Sequence, residues 1–558
     1  MDKTLPVPEL WKCRFFSAEN ILAGTIPDGD TITLPDGTRI CGKEVSLNGS
    51  QLTVLPGVDA PGSDKVIRNI FTAEINSCSS MTATLGAGSN FRMILYFNDR
   101  EILNTMQYGN AALPVASTNH LMKISLDQGV NYLRAEIFTP HDPDIALQLT
   151  SYEEPGMKYG PYPLYPDSYS GSISIAFASA ANHPAGVEYR KAGETLWHRV
   201  YDNIGGKIRR NSAVHCLRLE NLECDTLYEY RAILFDFAQN YAELPQDIHH
   251  FTIPSRKCCF TATADLQRLD KRNGMLKTAF AHSPDAGFFA FLGDLRWIGN
   301  FDADVMDIFA EPYRKLSGGD LPLVMVRGNH EYYGHDTDRY FEYFTVPEPG
   351  VESYGMFRIG EVCFIMLDCG DDAPRRPAPS AWMLHDTEPF LKKQSKWLKN
   401  AVEMPMCKTA KFRIVLCHGI PLGDPLEFMP GNLRNLIDPI FAGTNRVCKI
   451  HLFLGGHVHY PFRSIPGENR CRTALPEALE RHPACGEKYH FPVIAVSGPN
   501  SKLPENLINS ALRVEAFENT LEVTAFDNCG VDYDKIVIHA DGTVTEKMCA
   551  DFFQYHKF

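Results

Sequence analysis

Three hydrophobic patterns succeed one another along the chain. Up to about residue 157, short runs such as FRMILYF (91–97), HLMKISL (120–126) and NYLRAEIF (131–138) alternate apolar and polar positions between Gly, Asn, Asp and Pro. That period of two predicts half-buried antiparallel strands, and no useful length of helical period interrupts it. Residues 1–157 are therefore expected to form an all-β sandwich. The stretch SYEEPGMKYGPYPLYPDSYSG (151–171), rich in Pro, Gly and Tyr, reads as a linker. A second β-rich stretch, 158–255, then carries SISIAFAS, GVEYRKA, LWHRVYD, HCLRLENL and LYEYRAILFD, with turn signals between them.

From Lys257 onward apolar runs alternate with helical stretches, among them DVMDIFAEPYRKL (304–316) and PFLKKQSKWLKNAVEM (389–404). This alternation predicts an α/β domain over 256–558, its sheets flanked by helices. LRVEAFENTLEVTAFD and DKIVIHA, late in the chain, predict that a sheet continues as hairpins.

Composition narrows the possibilities. At 558 residues the chain exceeds what one core supports. Its net charge of −14 argues against binding duplex nucleic acid, because a phosphate backbone demands a basic face. A small phosphorylated substrate stays compatible with that charge if a metal supplies local positive potential. No run of about 18 apolar residues predicts a membrane span, and the opening MDKTLPVPELWKCRFFSAEN has no secretory h-region. The 16 cysteines form no CxxC pair and no compact framework, so reduced thiols and a cytoplasmic location are expected.

The candidate chemistry lies where the apolar runs of the last half stop. CCFTATA ends at Asp265, AGFFAFLG at Asp294, LPLVMVRG at Asn329 and His330, FRIVLC at His418, and KIHLFLGG at His457 and His459. Taken singly, each residue has an ordinary explanation as a helix cap, a turn former or a packed histidine. Together they put carboxylate, amide and imidazole groups at the carboxyl ends of five strands, where open α/β sheets gather their ligands. One ion could not use all of them, so two are implied. Imidazole with carboxylate suits Zn, Fe or Mn.

In order along the chain, TADLQ, GDLRWIG, GNHE, CHGIP and GGHVH resemble the motif series of the calcineurin-like metallophosphoesterases. FRIGEVCFIMLDCG and KKQSKWLKNAV are most similar to the purple acid phosphatase branch. LRLENLECDTLYEYRAILFD resembles the late strands of a fibronectin type III domain. LYFNDREIL with ISLDQGVNYLRAEIF resembles jelly-roll modules, which implies a possible carbohydrate contact through the N-terminal sandwich. VRGNHE is shared with the protein serine/threonine phosphatases, but TADLQ and GDLRWIG do not fit that branch.

The resemblance implies a dinuclear phosphoester hydrolase. Asp265 and His459 would hold one metal, Asn329, His418 and His457 the other, and Asp294 would bridge them. His330 would contact the phosphate and protonate the leaving oxygen. Two positions depart from the pattern. Gln267 stands where the family's D-x-H motif has histidine, and serves either as an amide ligand or as a neighbour hydrogen-bonding to one. Trp297 stands where purple acid phosphatases have a metal-binding tyrosine, so no tyrosinate–iron colour is expected. The alternatives are a phosphodiesterase acting on a nucleotide or lipid headgroup, and a glycan- or ligand-binding protein with a degenerate metal site. Residues expected to read the leaving group lie in loops 331–340, 370–386 and 463–490, with Tyr332, Tyr333, Arg375, Arg376 and Trp382 as candidates.

Overall fold

The computed structural model describes residues 10–18, 21–22, 25–48, 53–56, 67–109, 115–139, 144–152, 155–236, 242–267, 269–344, 346, 353–371, 386–422, 433–481 and 486–557. The chain divides into two compact units, one of residues 1–155 with 235–244, the other of 156–234 with 245–558.

The first unit is a β-sandwich. A six-stranded antiparallel sheet runs in the order Lys43–Asn48, Leu10–Ala18, Ile67–Ser77, Gly129–Thr139, Arg92–Phe97, Arg100–Asn104. A four-stranded sheet runs His120–Leu126, Met81–Ser89, Asp144–Tyr152, Thr53–Pro56. Phe71, Ile75, Leu95 and Ile137 of the larger sheet share one core with Leu85, Ile124 and Leu147 of the smaller. The alternation read from the sequence thus turns one face of each sheet inward.

The second unit is built on two large sheets. In the ten-stranded sheet the central strands Cys258–Thr263, Phe288–Phe291 and Leu323–Met325 are parallel. In the eight-stranded sheet Val362–Leu367, Phe412–Cys417, Leu452–Gly455 and Val493–Ala495 are parallel. Phe260 and Phe288 stack at 4.8 Å, and both meet Phe364 of the other sheet edge-on at 5.3 Å. The next residue, Phe289, points to the opposite face. There it meets Phe280 of helix Leu269–His282 and Tyr313 of helix Glu311–Ser317. One face of the strand therefore packs on a sheet and the other on helices. That is why GFFAFLG is apolar at every position instead of alternating.

The segment read as a linker is largely a strand. Met157–Asp167 pairs with Ser172–Ser179 and, in parallel, with Leu323 through Leu164. Its tyrosines are what the composition rule misjudged: Tyr159, Tyr162 and Tyr165 are buried, and the Tyr165 hydroxyl donates to the Met325 carbonyl at 3.0 Å. Gly160 with Pro161, and Pro166, enter the strand at two register irregularities, where the ladder is already interrupted, whereas Pro163 keeps its register opposite Ile175. Beside it, Ile173, Ile175 and Phe177 pack on Val187, Tyr230 and Phe251 of a smaller sheet, so this part is also a layered β structure.

A buried neutral histidine bridges the ends of the two large sheets. His451 Nδ1 accepts from the Arg413 N–H at 3.1 Å, and its Nε2 donates to the Ala540 carbonyl at 3.2 Å. Burial, only partly offset by that carbonyl, pushes the ring down to about 4. The unfolded chain protonates near 6.5, so as pH falls it takes up a proton before the folded chain does. The histidine's contribution is intact above about pH 6.5 and lost between there and pH 4. Between pH 7 and pH 4.5, the urea stability of the native chain should therefore fall further than that of His451→Gln, by roughly 2 kcal/mol. Equal losses would contradict this.

Candidate metal centre

The five strand ends converge. Asp265, Asp294, His418, His457 and His459 form two overlapping donor triads: Asp294, His418 and His457, and Asp265, Asp294 and His459. In each triad the ligand atoms all lie within 4.8 Å of one another. Asp294 belongs to both. His418 Nε2 is 3.1 Å from Asp294 Oδ2 and 4.0 Å from Asp265 Oδ1, and His459 Nε2 is 3.1 Å from Asp265 Oδ1. Asn329 Oδ1 and His457 Nδ1 are 3.0 Å apart. His330 Nε2 lies at the edge, 3.6 Å from Asp294 Oδ2. The Gln267 amide reaches both rings, 3.5 Å from His330 Nδ1 and 3.4 Å from His459 Nε2. The residues expected to hold metal or protonate the leaving group, Asp265, Gln267, Asp294, Asn329, His330, His418, His457 and His459, are thus gathered in one place.

Backbone geometry aims these groups. Asp265, Asp294, His457 and His459 all have positive φ, four of the nine non-glycine residues that do so among the described residues. Such conformations cost energy and persist where the surroundings enforce them, typically at functional sites. Glu331 supplies part of the enforcement. Fully buried, it accepts from the N–H groups of Asp294 (2.9 Å), Leu295 (2.7 Å) and Gly328 (2.8 Å), tying two strand-end loops together. Burial, with the Asp294 charge beside it, pushes its carboxyl up to about 7. The sequence reading passed over Glu331. Its one signal was an acidic residue directly after Asn329 and His330, inside the turn itself.

The site residues fit a cation better than they fit one another. Asp265 Oδ1, Asp294 Oδ2 and His418 Nε2 are buried and make no aligned hydrogen bond, although they stand 3–4 Å from oppositely charged neighbours. Groups paired for their own sake would align. His418 Nδ1 lies 2.8 Å from the Leu292 carbonyl and His459 Nδ1 lies 3.2 Å from that of Pro499, which fixes each Nε2 toward the centre. Burial alone would lower His418, but Asp294 and Asp265 push it up to about 10. Burial would likewise raise Asp294, yet His418 and His330 hold it well below the carboxylate range. His457 is pushed down to about 3 by burial and by the charge of His418. The centre therefore demands positive charge that no lysine or arginine among the described residues supplies through an ion pair to Asp265 or Asp294, the signature of a metal-binding donor set.

Two loop candidates have other roles. Tyr332 and Tyr333 are buried, their hydroxyls donating to Asp368 (3.0 Å) and Asp371 (2.8 Å), so they brace the loop instead of facing a substrate. A buried phenol needs such a partner, a requirement invisible in a Tyr-Tyr pair read alone. Arg375, Arg376 and Trp382 lie outside the described residues. Trp297 is half exposed, its ring edge-on to His330 at 6.3 Å.

Residues 247–461 match the family model of the calcineurin-like phosphoesterases, a span that contains all of these groups. This part of the chain is a calcineurin-like phosphoesterase domain, and the protein is a metal-dependent phosphoester hydrolase. Among solved structures, a purple acid phosphatase from yellow lupin (Lupinus luteus) seeds is 13% identical, covers 88% of this chain and 95% of its own, and superimposes with a TM-score of 0.50. PhoD is 12% identical over 71% of this chain and 92% of its own, with a TM-score of 0.44. The lupin enzyme shares the fold. No curated protein matches the chain by sequence.

The glycine pair before His457 gives a local test. A Cβ at Gly456 would stand 2.3 Å from Asp265 Oδ2. Gly456→Ala should displace that carboxylate and lower kcat/KM on a phosphoester roughly 100-fold, as misplacing a reacting group by about 1 Å does. Gly274→Ala, whose Cβ would meet nothing within 4 Å, serves as the control and should keep its activity. Full activity in Gly456→Ala would show that Asp265 does not need its present position.

Proposed function

We propose that the chain hydrolyses phosphoesters at a two-metal centre. Asp265, Gln267 and His459 hold one ion, Asn329, His418 and His457 hold the other, and Asp294 serves both. The observation that carries this reading is the shared position of Asp294 in two donor triads whose buried atoms lack aligned partners. Ions of this kind supply Lewis acidity and an activated water near neutral pH. The identity of the donors favours Fe, Mn or Zn.

The protein's own groups do the rest. Asp294 is oriented by two bonds, its backbone N–H given to Glu331 and its Oδ1 receiving the His330 N–H at 2.9 Å. That second bond couples the His330 backbone to the carboxylate, so the imidazole is set at a fixed place relative to the centre. His330 and His459 are both about a quarter exposed, at 25% and 27%, but His459 Nε2 is turned onto Asp265 at 3.1 Å, whereas His330 Nε2 stands off at 3.6 Å from Asp294 at the edge of the centre, which leaves His330 to meet a leaving oxygen. It binds the phosphoryl group and hands its proton to the departing alkoxide. Gln267, 3.5 Å from His330 Nδ1, restrains the ring from the other edge. The substrate class supported is a phosphorylated small molecule, and the chemistry serves a monoester or a diester alike.

His330→Gln should lower kcat about 10²- to 10⁴-fold on an alkyl phosphate, the usual span for losing a general acid. The loss should shrink on 4-nitrophenyl phosphate, whose leaving group needs no proton. Equal losses on the two would remove His330 from the proton-donor role. Asp294→Asn should abolish turnover of both substrates; metal-independent turnover at the native rate in that variant would refute the proposal.

A further inference from the structure

The exposed indole beside His330 has no part in the centre described above. Trp297 is 50% exposed, among the large apolar side chains most open to solvent in this domain. It stands on a rigid support. The Ile298 N–H donates to the Tyr333 carbonyl at 2.7 Å, and Asp304 Oδ2 accepts from Gly299 (2.8 Å) and Asn300 (2.9 Å). Arg296, the preceding residue, is held to Asp304 at 3.3 Å. Tyr333, anchored through Asp371, meets the Trp297 ring edge-on at 5.8 Å. The ring is thus large, apolar, half in water and fixed in place. Such rings are the usual anchors of ligand recognition.

Distance indicates what the ring would recognise. The Trp297 and His330 ring centroids are 6.3 Å apart. With a leaving oxygen within hydrogen-bond reach of His330, about 3 Å, a group bonded to that oxygen and turned to the open side can come within stacking range of the indole, since aromatic pairs associate at centroid separations of about 4.5–7 Å. We propose that Trp297 is the leaving-group platform of this phosphoesterase and selects esters in which a planar aromatic ring is attached directly to the phosphoester oxygen. This inference rests on His330 facing the leaving group. It concerns a different contact, made by a residue that takes no part in the proton transfer.

The test compares phenyl phosphate with glycerol phosphate on the metal-loaded full chain, as the ratio of their kcat/KM values. Trp297→Ala should lower the aryl-to-alkyl ratio about tenfold, the size of one aromatic pair. Trp297→Phe, which keeps a ring, should hold it within about threefold. If Trp297 acted only by propping His330, its removal would weigh on the alkyl ester, which depends more on the proton, and the ratio would rise. A ratio that rises or stays constant in Trp297→Ala overturns the platform while leaving the phosphoesterase reading intact. A native chain that hydrolyses neither ester overturns both.

Discussion

The constraint on which this molecule turns is uncompensated negative charge at depth. Asp265 and Asp294 are fully buried at the ends of adjacent parallel strands, and among the described residues no lysine or arginine pairs with them. Burying a carboxylate without a partner is among the costliest arrangements a fold can hold. Here the compensation is conditional. It comes from His418 and His459 when they carry protons, and it would come more fully from cations occupying the same space. The raised affinity of His418 for a proton and the displaced affinity of Asp294 are two expressions of one unmet demand.

The fold is organised to keep that demand in place. The parallel strands of both sheets deliver their carboxyl ends to one locus. The phenylalanine layer of Phe260, Phe288 and Phe364 fixes the sheets against each other beneath it. Glu331 then ties the Asp294 and Asn329 turns together through backbone donors. Asp368 does the same one layer out: Tyr332 and Ser353 donate to its carboxylate, and the Gln394 amide clamps its backbone. The positive φ of Asp294 is held where Glu331 accepts its N–H, and those of Asp265 and His457 where the His457 N–H donates to Asp265 Oδ2.

The placement of the centre was legible in the sequence because it depends on strand period and on the residue ending each strand, both local properties. The motif series added an assignment of roles that periodicity alone could not give. What stayed hidden depends on partners distant in sequence. Glu331 looked like any acid in a turn until the Asp294 and Leu295 N–H groups arrived from another strand. Tyr332 and Tyr333 looked like loop aromatics until Asp368 and Asp371 claimed their hydroxyls. Met157–Asp167 looked like a linker because Pro and Gly are judged by local propensity, whereas its tyrosines are buried by tertiary packing. Trp297 was legible as a departure from the family pattern, but its outward pose was not.

The central claim is that two cations share Asp294. It is tested most directly by elemental analysis of purified chain dialysed against each of Mn²⁺, Zn²⁺ and Fe²⁺, for the native protein and for Asp294→Ala. The account predicts about two ions per native chain, and fewer than one in the variant because both triads lose a donor. A native chain that retains none of the three metals, or an Asp294→Ala variant that retains both ions, would contradict it.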